Sequence, residues 1–145
     1  MNSKRKVLVT GAGGQLGRRL IPELTAHGYQ VRAHYRNQQK ADRYCVPGIE
    51  AVLGDLFSPD WLTAAVMGCD YVIHGAARVS LRPLTGPDAD YMHKVNVAGT
   101  KAVVDACLKG DVKRLIHVST VGAVAASVSG IPLDETAEFN LAGYG

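Results

Sequence analysis

The stretch Val7-Leu8-Val9-Thr10-Gly11-Ala12-Gly13-Gly14-Gln15-Leu16-Gly17 constrains the chain more than any other. A short apolar run rich in β-branched residues feeds into a cluster of four glycines. An amphipathic pattern follows, with Leu16, Leu20, Ile21 and Leu24 on one side. The pattern predicts a strand, a tight turn and a helix. Glycines let the turn's backbone approach a pyrophosphate closely, and the free N–H groups at a helix start attract its charge. On this reading a side chain on Gly11 or Gly14 would fill the space the phosphates need. No Gly-Lys-Ser/Thr closes the stretch, so it is not a Walker loop. The dinucleotide fingerprint G-x-G-x-x-G fits only in part, because Leu16 stands where the third glycine belongs. The glycines repeat instead every third residue, at Gly11, Gly14 and Gly17.

Composition narrows the partners. At 145 residues the chain is long enough for one domain with a real core, and its 47% apolar content suits a soluble α/β protein. The net charge of +3, from 16 basic and 13 acidic residues, is small and scattered, which argues against nucleic acid. Lys4-Arg5-Lys6 reads as a solvated cluster ahead of the first strand. No apolar run has the ~18 residues of a membrane span, and no signal peptide precedes the first strand. Cys45, Cys69 and Cys107 lack metal-ligand spacing and read as reduced thiols. No metal site is expected, and the cytoplasm is the expected compartment.

Further strands are expected at Gln30 to Tyr35, Ile49 to Asp55, Tyr71 to His74 and Arg114 to Thr120. The last is mostly apolar and is expected to be buried on both faces. Gly28 should stop the first helix, whose interior holds Pro22 at the cost of a bond to the Arg18 carbonyl. Asn37 to Tyr44 is a short polar helix or loop. Ser58-Pro59-Asp60 signals a capped helix start. Asp88 to Lys109 reads as one long helix ended by Gly110, with Met92, Val95, Gly99, Ala102, Val103 and Ala106 facing the sheet. Alternation of strands and helices predicts an α/β fold, a doubly wound parallel sheet in order 3-2-1-4-5. Ligand should sit at the carboxyl ends of the first and fourth strands. Beyond Val121 the pattern weakens.

Thr10-Gly11-x-x-Gly14-x-x-Gly17 is joined in order by Gly54-Asp55-Leu56, His74-Gly75-Ala76-Ala77, Asn96-Val97-Ala98-Gly99-Thr100 and Ile116-His117-Val118-Ser119-Thr120. With these motifs the chain resembles the extended short-chain dehydrogenase/reductase family, of the NAD-dependent epimerase/dehydratase type. Val31-Arg32-Ala33 with Arg36 is closest to its dihydroflavonol-reductase branch. The resemblance implies a Rossmann-type, three-layer αβα domain over residues 1–145, truncated before the remaining strands and the substrate lobe. The implied full-length protein is an oxidoreductase or epimerase that passes a hydride between nicotinamide and a carbon bearing a hydroxyl or carbonyl. It would act on a small-molecule substrate, as a homodimer, without membrane or nucleic acid. A regulator of the same fold that senses NAD(P) without turnover is the alternative.

By the same resemblance, Gly11, Gly13, Gly14, Gln15, Leu16 and Gly17 hold the diphosphate. Asp55 accepts from the adenine amino group beside the Leu56 N–H, although its residue type also suits a turn cap. Gly75, Ala76 and Ala77 lie along the diphosphate and the nicotinamide ribose, with His74 read as a satisfied strand-end histidine. Asn96 serves structure, or in some members a water-linked proton relay, and Ser119 borders the cofactor. Thr120 is the implied catalytic hydroxyl. The family's Tyr-x-x-x-Lys pair cannot be completed in this chain: Tyr144 is about the right distance from Thr120, but a later tyrosine fits equally, and the isolated chain is expected to be inactive. Enzymes that prefer NAD carry an acid at the end of the second strand. Here Tyr35 and Arg36 stand there, with Lys40 and Arg43 nearby. A guanidinium pairs with a 2′-phosphate, so NADP(H) is the expected cofactor and NAD(H) the alternative. The other reading of Arg36 is a surface arginine stacking on adenine.

Overall fold

A computed structural model describes residues 4–80, 84–120, 123–127 and 130–140. Five parallel strands, β1 (Lys6–Thr10), β2 (Gln30–Tyr35), β3 (Glu50–Leu53), β4 (Tyr71–His74) and β5 (Arg114–His117), form one sheet in the order β3-β2-β1-β4-β5. The order is the expected one, and the register places Val9 opposite both Ala33 and Ile73. Helices α1 (Gln15–Ala26), α2 (Gln38–Tyr44), α3 (Pro59–Val66), α4 (Pro87–His93) and α5 (Gly99–Lys109) connect them.

The period-two alternation of β1 builds the three layers. Val7 and Val9 face a core with Ile21, Val31, Ala33, Tyr35 and Ala41, under α1 and α2. Leu8 faces the opposite core with Leu62, Val66, Val72, Val103 and Ala106, under α3 and α5. Both faces of the central strands are therefore covered, as a parallel sheet requires.

Helix ends follow local chemistry. The Asn37 side chain accepts from the Lys40 N–H at 3.0 Å, so 38–44 is a helix rather than a loop. Ser58 caps α3 with Pro59 in its first turn, as expected. At the end of α1, Gly28 takes φ +84°, and bonds from Gly28 N–H to Thr25 O and Tyr29 N–H to Leu24 O close a Schellman turn. α1 runs through Pro22, which sits on an exposed side where water can satisfy the freed carbonyl. At the end of α5 the left-handed residue is Asp111 (φ 52°), not Gly110. Gly110 is needed for a different reason: a Cβ there would lie 2.7 Å from Val66 Cγ2.

Two expectations are corrected. The single helix over 88–109 is three segments, because Lys94–Ala98 forms a π-helical turn between α4 and α5. β5 ends at His117, and Ile116 is half exposed. Among the described residues β5 is an outer strand of the sheet, and after its Val118 N–H reaches His74 O the neighbouring strand has already turned away at Gly75.

Candidate cofactor site

A cleft of about 440 Å³ opens at the carboxyl ends of β1, β2, β3 and β4. The glycine loop forms one wall. Gly11 has φ +74°, and a Cβ there would lie 2.7 Å from the Gly75 carbonyl. Gly17 is buried, and its Cβ would meet Gly11 O at 2.6 Å and Ala12 backbone at 2.7 Å. Both glycines therefore serve the chain's own close packing, and Gly11 also lines the cleft. Gly14 differs: a Cβ would meet only Gly11 O, at 3.1 Å. Gly14 also starts α1, where no side chain caps the helix and the first turn holds no acid. Those amides and the helix dipole remain available to an anion. Gln15 and Leu16 are exposed in that turn, outside the cleft lining, so only their backbone N–H groups have a place in such a site.

The opposite wall begins at the end of β2. Tyr35 borders the cleft but is 2% exposed, and burial beside Cys45 pushes its phenol up to about 12. It backs the glycine loop rather than presenting a group to ribose. Arg36 is exposed at the rim, where its Nη1 donates to the Tyr91 hydroxyl at 3.5 Å, and Lys40 lines the same cleft. Lys94 adds a third cation, with its Nζ 4.7 Å from the Phe57 ring centre. Against these stands one cleft carboxylate, Asp55, whose Oδ1 accepts from the Phe57 N–H at 3.0 Å. The turn-cap reading of Asp55 thus holds for one oxygen. Leu56 is 8% exposed, so its side chain belongs to the core.

Beneath Asp55, His34 donates from Nε2 to Gly54 O at 3.0 Å and packs on Trp61 with ring centres 4.7 Å apart. Burial holds its pKa below the ordinary histidine value, and its Nδ1 has no hydrogen-bond partner among the described residues. Gly54 is obligatory here because a Cβ would overlap the Trp61 indole. The floor is Gly75-Ala76-Ala77. It is held by Thr10 Oγ1, which accepts from the Ala76 N–H at 3.3 Å.

Asn96 is not in the cleft lining. Its amide clamps Arg78, accepting from Arg78 N at 2.8 Å and donating to Arg78 O at 2.9 Å. A half-buried amide on a helix must find partners, and Asn96 finds them on the Arg78 backbone. Ser119 and Thr120 are exposed past the end of β5 and also do not border the cleft. They share its edge of the sheet, since all five strands are parallel. Tyr144 lies outside the described residues. Sequence reasoning missed His34, Phe57, Tyr91, Lys94 and Val95. Tyr91, Lys94 and Val95 fall at i, i+3 and i+4, a helical face that could have been read.

Residues 7–144 match the sequence model of the NAD dependent epimerase/dehydratase family. The chain belongs to that family. A ketoreductase of 4-hydroxy-2-methyl-3-oxo-4-farnesyl-3,4-dihydroquinoline-1-oxide from Stigmatella aurantiaca is 35% identical over 90% of this chain. A 2-alkyl-3-oxoalkanoate reductase from Stenotrophomonas maltophilia is also 35% identical over 90%. The match covers 38% of each relative, so this chain spans about two fifths of their length. Among solved structures, a short-chain dehydrogenase/reductase superfamily protein from Agrobacterium tumefaciens with bound NAD superposes with TM-score 0.69 and 32% identity. That match covers 83% of this chain and 34% of that one.

Proposed function

We propose that the cleft binds NADP(H) in preference to NAD(H), as the cofactor-holding part of a reductase, dehydrogenase or epimerase. Its substrate would be a small molecule with a carbon bearing a hydroxyl or carbonyl. The observation that carries this reading is the uncapped start of α1 at the exposed Gly14, in one cleft with Arg36, Lys40 and Lys94. An anionic dinucleotide suits that charge balance, and an exposed glycine at a helix start suits its diphosphate.

In this reading the loop from Gly11 to Gly14 and the Gln15 and Leu16 amides hold the diphosphate. Gly75, Ala76 and Ala77 offer backbone without bulk beside it. Arg36, with Lys40, pairs with the 2′-phosphate. The free oxygen of Asp55 accepts from the adenine amino group, and the Leu56 N–H lies next to it in sequence. The bound cofactor supplies hydride transfer to or from the substrate carbon. Thr120 donates a hydrogen bond to the substrate oxygen on that carbon and stabilises the charge that develops there.

Competition between NADPH and NADH tests the assignment. The wild-type chain should favour NADPH by roughly ten- to a hundredfold. Arg36→Ala should bring the two within about threefold. Equal affinities in the wild type, or an undiminished preference in Arg36→Ala, would reduce Arg36 to a surface residue.

A further inference from the structure

His74 is 1% exposed and bonded on both ring nitrogens. The directions of these bonds follow from counting protons. Thr100 Oγ1 lies 2.7 Å from Asn96 O, a carbonyl that can only accept, so the Thr100 hydroxyl proton is committed there. Thr100 Oγ1 must then accept from His74 Nε2, 3.1 Å away, which therefore carries a hydrogen. In a neutral ring Nδ1 is then bare and accepts from Thr10 Oγ1 at 2.7 Å. Burial and the nearby His117 and His34 lower the His74 pKa to about 4, so the ring is neutral at pH 7. Thr10 Oγ1 in turn accepts the Ala76 N–H. One directed chain thus runs from Ala76 N–H through Thr10, His74 and Thr100 to the Asn96 carbonyl. The Asn96 side chain closes it by clamping both backbone groups of Arg78.

We propose that His74, as the Nε2–H tautomer, is a positioning residue that couples Thr10 to Thr100 and so sets the Gly75–Arg78 backbone along the cleft. The two ends of that segment are held by different elements: Ala76 by the last residue of β1, and Arg78 by the π-helical turn. His74 bonds Thr10 directly and reaches Asn96 of the π-helical turn through Thr100. The His117 ring, stacked at 5.4 Å between centres, fixes its plane from β5. The same segment backs the glycine loop, since the Gly11 α-carbon packs on the Gly75 carbonyl and Ala76 nitrogen. A shift of the floor therefore also moves the glycine wall that the dinucleotide would touch. The claim about affinity rests on the cofactor reading above; the claim about coupling does not.

Two measurements on the full chain separate them. Hydrogen exchange of the Ala76 amide is read in wild type, Thr100→Val and Thr100→Ser. Thr100 bonds His74 and Asn96, not Ala76, yet Thr100→Val should speed Ala76 exchange at least tenfold relative to its neighbours in β4. Thr100→Ser, which keeps the hydroxyl, should stay within about twofold of wild type. NADPH fluorescence titration is then run on Thr10→Val, Thr100→Val and the double variant. Each single should weaken binding about fivefold or more, and the double should be no more than twofold worse than the worse single, because either change frees the same ring. Multiplied effects, or Val variants that bind and exchange like wild type, overturn the proposal. The ring nitrogens of wild-type His74 give a check that needs no variant to fold: ¹⁵N shifts should show a bare Nδ1 and a protonated Nε2 at pH 7, and the opposite tautomer or an imidazolium overturns the proposal. A wild type that takes up neither NADPH nor NADH refutes the cofactor reading, while exchange and ring shifts still decide the coupling.

Discussion

Glycine is required in the loop after β1 for two unrelated reasons. Gly11 and Gly17 are small because the chain packs on itself at those points, whereas Gly14 is exposed at the cleft and a Cβ there would press only on Gly11 O, at 3.1 Å. The spacing of the three was legible in the sequence, but the division of labour was not, since it depends on where Gly75 and Ala12 come to lie. Gly17→Ala should destabilise the fold by about 1–3 kcal/mol, as forced overpacking does, and urea unfolding would measure it. His74 gives a pH prediction. Burial, with the nearby His117 and His34, lowers its pKa from the ordinary histidine value of 6.5 to about 4 in the fold. Between those values the unfolded chain binds a proton that the folded chain does not, so stability is lost as pH falls from 6.5 toward 4. The loss from this group should amount to roughly 3 kcal/mol. Urea unfolding at several pH values should show a shallower decline for His74→Gln than for wild type; parallel curves would contradict the assignment.

At the scale of elements, β2 and α3 are tied by Arg32. Its Nη1 donates to Ala65 O at 2.6 Å and Met67 O at 3.1 Å, at the end of α3, while Nε pairs with Glu50 at 2.8 Å. A cation at a helix C-terminus satisfies carbonyls that have no partner within the helix. Arg32→Met should cost about 2 kcal/mol. Glu50→Gln should cost less than about 1 kcal/mol, because that carboxylate is 43% exposed and screened. Thermal unfolding of the two variants compares them, and equal losses would contradict the capping role. Elements whose signals are local could be read from sequence. The bounds of β2 and β4 are those the sequence pattern predicts, and the Ser58-Pro59 start of α3 needs only its own side chains. The π-helical turn could not be read, because it depends on Asn96 and Thr100 meeting Arg78 and His74 from other parts of the chain. Nor could the exposure of β5, whose apolar residues look the same at an edge as at the centre.

Across the whole molecule, the strand order places the glycine loop and the end of β4 side by side, where the chain's path reverses across the sheet. That is where a parallel α/β sheet binds ligands. The glycine loop, Arg36, Asp55, Leu56 and Gly75 to Ala77 meet there, as a reading of the motifs in order anticipates. Asn96, Ser119 and Thr120 do not line the cleft, because the first is spent on Arg78 and the others follow the sheet's edge strand. The cleft and the fold can be separated at Gly14, which is exposed at the cleft and whose Cβ would press on one atom, Gly11 O, rather than on the several that Gly11 and Gly17 would meet. Calorimetric titration of NADPH into wild type and Gly14→Val, with circular dichroism on both, tests that separation most directly. The wild type should bind one equivalent, and the variant should keep its fold and lose binding by at least a hundredfold. A folded Gly14→Val chain with unchanged affinity would contradict the assignment of this cleft to a dinucleotide.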